Sequence, residues 1–192
     1  IHRNNEPKYH AMLLRAEEHA KRDHKFRIWF SAQDKPCNPA EIAKKPEHLK
    51  AKLDRFLQFH DQRTAGIPGF CILCPGLQMR VTEKIIKNSK ITILKHTPCK
   101  VVGWDLHPAD RRNVNECERF LDYLPRAIYV KFENAEWRVH ASMEVGVFPL
   151  YPVERTWELN HDTGVKVVRK GFTIVPDYAS TAFMIQGTTL PA

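Results

Sequence analysis

No run of about 18 apolar residues occurs in this 192-residue chain, which excludes a helical membrane span. Glycine is scarce, at 8 residues, and the 13 prolines follow no period, so a collagen-like fibre is excluded. No heptad pattern is sustained, which excludes a coiled coil. There is no G-x-x-x-x-G-K-[ST] loop and no G-x-G-x-x-G, and neither G-x-S-x-G nor H-E-x-x-H occurs. The chain by itself is therefore not expected to hydrolyse a nucleotide. Its first residues, Ile1-His2-Arg3-Asn4-Asn5, lack the charged start and apolar core of a secretory signal. The five cysteines are odd in number and irregularly spaced (Cys37, Cys71, Cys74, Cys99, Cys117), so reduced thiols in the nucleus or cytoplasm are expected, not a disulfide framework. Neither end carries a cap or a polar tail, and the chain reads as an internal piece of a longer protein.

What is present is ordinary globular composition, 43% hydrophobic and 27% charged, enough apolar surface to oppose chain entropy. The net charge is +8 and the sequence pI about 9.3, which favours a polyanionic partner, nucleic acid first. Lysine and arginine are spread along the chain, so a folded basic surface is expected and not a basic arm.

Periodicity predicts a helix over 7–24, with Tyr9, Met12, Leu13, Ala16 and Ala20 on one face. A strand is expected at 26–30, a polar loop at 33–46, and a second helix at 47–62 carrying Leu49, Leu53, Phe56 and Leu57. Short β-prone runs follow at 78–86, 90–94, 100–106, 127–132, 137–140 and 165–175, mostly separated by Pro, Gly or Asn. Such spacing suggests a small barrel or sandwich. A short helix is expected around 116–121, and another over 177–186 between Pro176 and Gly187.

Three constellations could carry chemistry. Cys71-x-x-Cys74 and His96-x-x-Cys99 have zinc-ligand spacing within each pair, but 21 residues separate the pairs. The competing reading makes Cys71 and Cys74 small apolar strand residues beside Phe70, Ile72 and Leu73, and it is preferred, with no metal site expected. Trp29, Phe30, Trp104, Tyr129, Trp137 and Trp157 are interleaved with basic residues, as in single-strand binders. Most should be core, and Trp104 is the favoured stacking residue. The ten histidines are scattered, and the carboxylates Asp105, Asp110 and Glu116 are too dispersed for a metal-dependent nuclease.

The last stretch, Val175-Pro176-Asp177-Tyr178-Ala179-Ser180-Thr181 through Gln186-Gly187-Thr188-Thr189-Leu190, resembles motif V of superfamily 1 DNA helicases of the RecD/Pif kind. Three further stretches, 75–85, 99–104 and 124–132, resemble the strands of that family's SH3-like insert, and Arg3-Asn4-Asn5 is similar to the end of motif IV. The order of the pieces is also the family's. The resemblance implies an α/β fold: an incomplete second RecA-like lobe of the P-loop NTPase kind, interrupted by a small SH3-like β-barrel. It implies lobe over 1–69, insert over 70–170 and return to the lobe over 171–192. It places Cys71 and Cys74 just before the first barrel strand, where no metal is expected. By the same resemblance Asn4, Ser180 and Thr181 would touch the strand, and Gln186 and Gly187 would sense the nucleotide. ATP and Mg2+ would be bound by the full-length protein, with motifs I to III upstream and motif VI downstream, and by this chain alone not at all. The implied partner is single-stranded DNA, without a membrane, on a monomer. One departure stands out: the family's His-Lys-[Ser/Ala] is Phe183-Met184-Ile185 here. That leaves two rivals, a non-catalytic basic β-barrel module and a degenerate helicase relative.

Overall fold

The computed structural model describes residues 5–22, 26–37, 57–110, 118–160 and 165–178. Helix α1 (Asn5–Arg22) begins near the expected position. Met12, Ala16 and Ala20, spaced four apart, form its buried stripe, and the helix packs on the strands described next.

Three sheets and a hairpin follow. β1 (Arg27–Ser31) is central to the first sheet, antiparallel to β3 (Phe70–Leu73) and parallel to β8 (Glu118–Phe120). The second sheet is antiparallel throughout. Its order is β10 (Val147–Leu150), β9 (Ala127–Lys131), β7 (Pro98–Asp105), β4 (Gln78–Val81), β13 (Ile174–Pro176). β2 (Gln33–Pro36) joins β11 (Val153–Asn160) and β12 (Val165–Gly171) in the third. β5 (Ile85–Ile86) and β6 (Thr92–Ile93) form the separate hairpin. α1 lies against β3 and β13.

A single core of Ile28, Ile72, Leu77, Met79, Ile128 and Ile174 with their neighbours joins the first two sheets. The turn into β4 is set by Pro75-Gly76. Leu77 N–H closes onto Cys74 C=O at 3.1 Å, and Gly76 sits at φ +84°, as position three of such a turn requires.

The three stretches likened to insert strands become β4, β7 and β9, which are neighbours in one sheet. That sheet is open. β10 and β13 are its edges, and no closed barrel is seen among the described residues. The fold is mixed and sheet-rich.

Four local expectations are corrected. The segment expected as a loop from 33 begins with β2, paired to β12 through Gln33↔Lys170 and Asp34↔Arg169. The expected helix around 116–121 is β8 over Glu118–Phe120. Arg27 Nε and Nη2 each donate to Glu118 at 2.8 Å, Trp29 Nε1 donates to it at 2.7 Å, and Phe120 stacks on Trp29 at 5.9 Å, so long-range partners override helical periodicity. Residues 137–140 are irregular and end in a bend, not a strand. Residues 57–60 are not helical, and Asp61–Thr64 is a 3-10 turn capped by His60, whose ring nitrogen accepts from Gln62 N–H at 3.2 Å. Most of the expected helix at 47–62, and the one at 177–186, lie outside the described residues.

The largest buried charge ties the third sheet to the rest. Arg169, fully buried, donates from Nε and Nη2 to the two Asp34 oxygens at 2.7 Å each and from Nη1 to Ile67 C=O at 3.2 Å. Its guanidinium lies 5.4 Å from the centre of the Trp157 ring.

Candidate nucleic-acid interface

The β5–β6 hairpin is built by local polar chemistry. Asn88 Oδ1 accepts from the N–H groups of Lys90 at 2.9 Å and Ile91 at 2.8 Å, and Lys87 N–H bonds Ile91 C=O at 3.1 Å. Ile91 and Ile93 root it in the core, at 3% exposure each. The opposite side carries Lys84, Lys87, Lys90 and Lys95, all exposed, with Ile86 and Leu94 bare at 65% and 62%. None of these four lysines has an ion pair among the described residues. Lys87 lies 5.9 Å from the centre of the Phe148 ring. The nearest acid before the hairpin, Glu83, is held by Arg155 at 2.9 Å.

A cleft of about 330 Å³ opens beside this hairpin. It is lined by Thr92 and Leu94 of the hairpin, by Gln78 of β4 and Lys100 of β7, and by Asn134 and Trp137 of the segment that follows β9, among others. Trp137 is half-buried and packs on Phe132 at 5.9 Å and edge-on to Phe148 at 6.1 Å. Its backbone is pinned, because Gly146 N–H donates to Trp137 C=O at 2.9 Å. Gly146 is required there: its φ is +76°, and a Cβ would lie 2.5 Å from Phe132 C=O.

Two further lysines face each other across β7 and β9, Lys100 opposite Lys131. Each is answered by an acid from the connection to β10. Lys100 donates to Glu133, and Lys131 donates to Glu144 at 2.9 Å. Those hydrogen bonds hold both glutamates below the usual carboxylate range. Among the described residues the surface thus divides into lysines paired to an acid and lysines with no acid beside them.

The residues singled out from sequence do not converge here. Asn4, Ser180, Thr181, Gln186 and Gly187 lie outside the described residues. Trp104 is half-buried, stacked on Phe26 at 6.1 Å, and does not line the cleft. Cys71, Cys74 and Cys99 are core residues. Burial pushes the Cys71 and Cys99 thiols up to about 12, and Cys71 Sγ–H points at Ile72 C=O. His96 sits in the turn 94–97 at φ +70°, its N–H on Val81 C=O at 2.8 Å. No group of three or more metal-ligating side chains gathers among the described residues. None of their helices is long and apolar enough to cross a membrane.

The strands of the hairpin fall within the β-prone runs expected at 78–86 and 90–94, but its basic face was not singled out from the sequence, although the signal is plain. From Lys84 to Trp104 the chain holds five lysines and no Asp or Glu.

No family model and no curated protein matches this chain. The structure is similar to the crystal structure of Pif1 helicase from Candida albicans, with a TM-score of 0.54 and 16% sequence identity over 94% of this chain and 36% of that chain. The likeness is one of fold, and the chain spans little more than a third of that helicase's length. The described chain is similar in fold to part of that helicase.

Proposed function

We propose that this chain belongs to a helicase-related, ATP-dependent motor and that its own part is to grip single-stranded nucleic acid, DNA in the first place. The observation that carries this is the acid-free face of the β5–β6 hairpin, set beside a cleft on a helicase-like fold. Exposed lysines with no acidic partner among the described residues hold counterions loosely. Exchanging these for strand phosphates releases them and gives salt-dependent affinity.

In this proposal residues 1–69 and 171–192 belong to the second RecA-like lobe, and 70–170 takes the place of the SH3-like insert. Asn4, Ser180 and Thr181 contact the strand, and Gln186 and Gly187 face the nucleotide. ATP with Mg2+ is bound by the full-length protein and supplies the energy of translocation. No step of that chemistry belongs to the described residues, and the chain contains no phosphate loop. A second reading is favoured by Phe183-Met184-Ile185, which puts apolar groups where the family has polar ones. A relative with those residues keeps strand binding and lacks an active motor.

Fluorescence anisotropy with a labelled single strand tests the first reading. Affinity falls steeply between about 50 and 200 mM salt, without ATP hydrolysis by this chain. Absent or salt-insensitive binding overturns it. Strand-stimulated ATP hydrolysis by the full-length protein separates the motor from the relative without one.

A further inference from the structure

We infer that the cleft between the hairpin and the 132–137 segment is a base-binding subsite: it takes one unpaired base of a single strand, stacked on Trp137, while the hairpin lysines hold the flanking phosphates. The inference rests on the single-strand reading above and adds to it a residue and a ligand group.

Six observations carry it. The volume, about 330 Å³, suits a small planar group and not a folded peptide. The lining includes an aromatic ring, Trp137, and an exposed aliphatic side chain, Leu94, two surfaces on which a flat π-face packs. The polar lining includes the amides of Gln78 and Asn134, each able to donate and accept as the edge of a base requires. The only carboxylate lining the cleft, Glu133, is engaged by Lys100, so the cleft offers a phosphate-bearing ligand little net repulsion. Leu94 is followed directly by exposed Lys95, so a base in the cleft has a cation beside its own backbone. Trp137 itself is anchored on Phe132 and Phe148 and held at its carbonyl by Gly146. Its ring is thus a fixed platform that needs no ordering when a base arrives.

The experiment is titration of the 192-residue chain with oligodeoxythymidylate of about 15 nucleotides, read by anisotropy and by intrinsic tryptophan fluorescence. Inorganic polyphosphate serves as the baseless control. Expected are quenching on oligonucleotide binding, no quenching with polyphosphate, and loss of the quench in Trp137→Phe, which leaves Trp29, Trp104 and Trp157 in place. Trp137→Ala should weaken oligonucleotide binding about tenfold, the worth of one stacked base, and leave polyphosphate binding unchanged. Thr92→Phe, on an exposed position, should fill the cleft and weaken binding without touching Trp137. It therefore tests the subsite even where Trp137→Ala disturbs folding. If the oligonucleotide binds and hairpin lysine variants weaken it, while Thr92→Phe and Trp137→Phe leave affinity and quench unchanged, the subsite is refuted and the basic face stands. If no oligonucleotide binds at low salt, both fall together.

Discussion

Two basic regions of this molecule treat positive charge in opposite ways. At the joint of the third sheet Arg169 is wholly enclosed, and its donors meet Asp34, the Ile67 carbonyl and the Trp157 face. On the β5–β6 hairpin four lysines stand in water with no acid paired to them among the described residues. The physical reason is desolvation. A guanidinium removed from water must be answered by the protein itself, or the fold loses several kcal/mol. An exposed ammonium is already satisfied by water and ions, and so remains available to a ligand. Lys100 and Lys131 stand between these cases, exposed yet answered by Glu133 and Glu144. The contrast teaches that, in the proposed strand grip, affinity should follow from unmatched charge, not from charge as such.

The largest expected effect is on the matched side. Asp34→Ala should destabilise the chain by about 3–5 kcal/mol in urea unfolding, because it strands a buried guanidinium. The double variant Asp34→Leu with Arg169→Met should recover much of that loss. A loss below about 1 kcal/mol for the single variant would break the comparison. Next comes the unmatched side. Replacing Lys87, Lys90 and Lys95 with Gln should cut single-strand affinity about tenfold or more at low salt. It should also lower the slope of log affinity against log salt by about 2, while stability stays within about 0.5 kcal/mol.

The intermediate case sharpens the comparison. Glu133→Gln frees Lys100, so affinity should rise a few-fold and the salt slope should steepen by about 0.7. The smallest effect concerns Glu118. Hydrogen bonds from Arg27, the leading cause, and from Trp29 hold its carboxyl below the ordinary glutamate value. A depressed folded value means the contribution is complete at neutral pH. It fades as pH falls below the ordinary range and through the lowered one. The pair is partly exposed, so Glu118→Gln should cost about 0–1 kcal/mol at pH 7. The difference from the unsubstituted chain should vanish in acid, as pH-dependent thermal unfolding would show.

Much of the strand pattern was legible because it is local. Alternation and punctuation by Pro, Gly and Asn mark β4, β7 and β9 directly in the sequence. Even the buried cysteines follow from their apolar neighbours Phe70, Ile72 and Leu73. β8 was not legible, since residues 118–120 acquire strand geometry only from Arg27 and Trp29, some 90 residues away. β2 hid in a polar, proline-containing stretch because its register depends on Arg169, 135 residues on. For the site, the basic surface was legible and its location was not. Composition counts lysines but cannot tell which will find an acid across a sheet. Trp104 looked like the stacking residue because it precedes a turn, yet Phe26 covers it, and Trp137 takes the cleft wall.

Sequence by itself determined the strand-rich character, the excess of positive charge and the absence of a phosphate loop, all of which depend on residue type and short spacing. Tertiary structure alone decided which charges cancel. It set Glu133 and Glu144 on the lysines of β7 and β9 and, among the described residues, left the hairpin lysines without an acid. It also brought Gln78, Thr92 and Trp137, far apart in the chain, around one cleft. Pairing and desolvation depend on distances of a few ångströms between segments remote in sequence, and only the folded chain sets those distances.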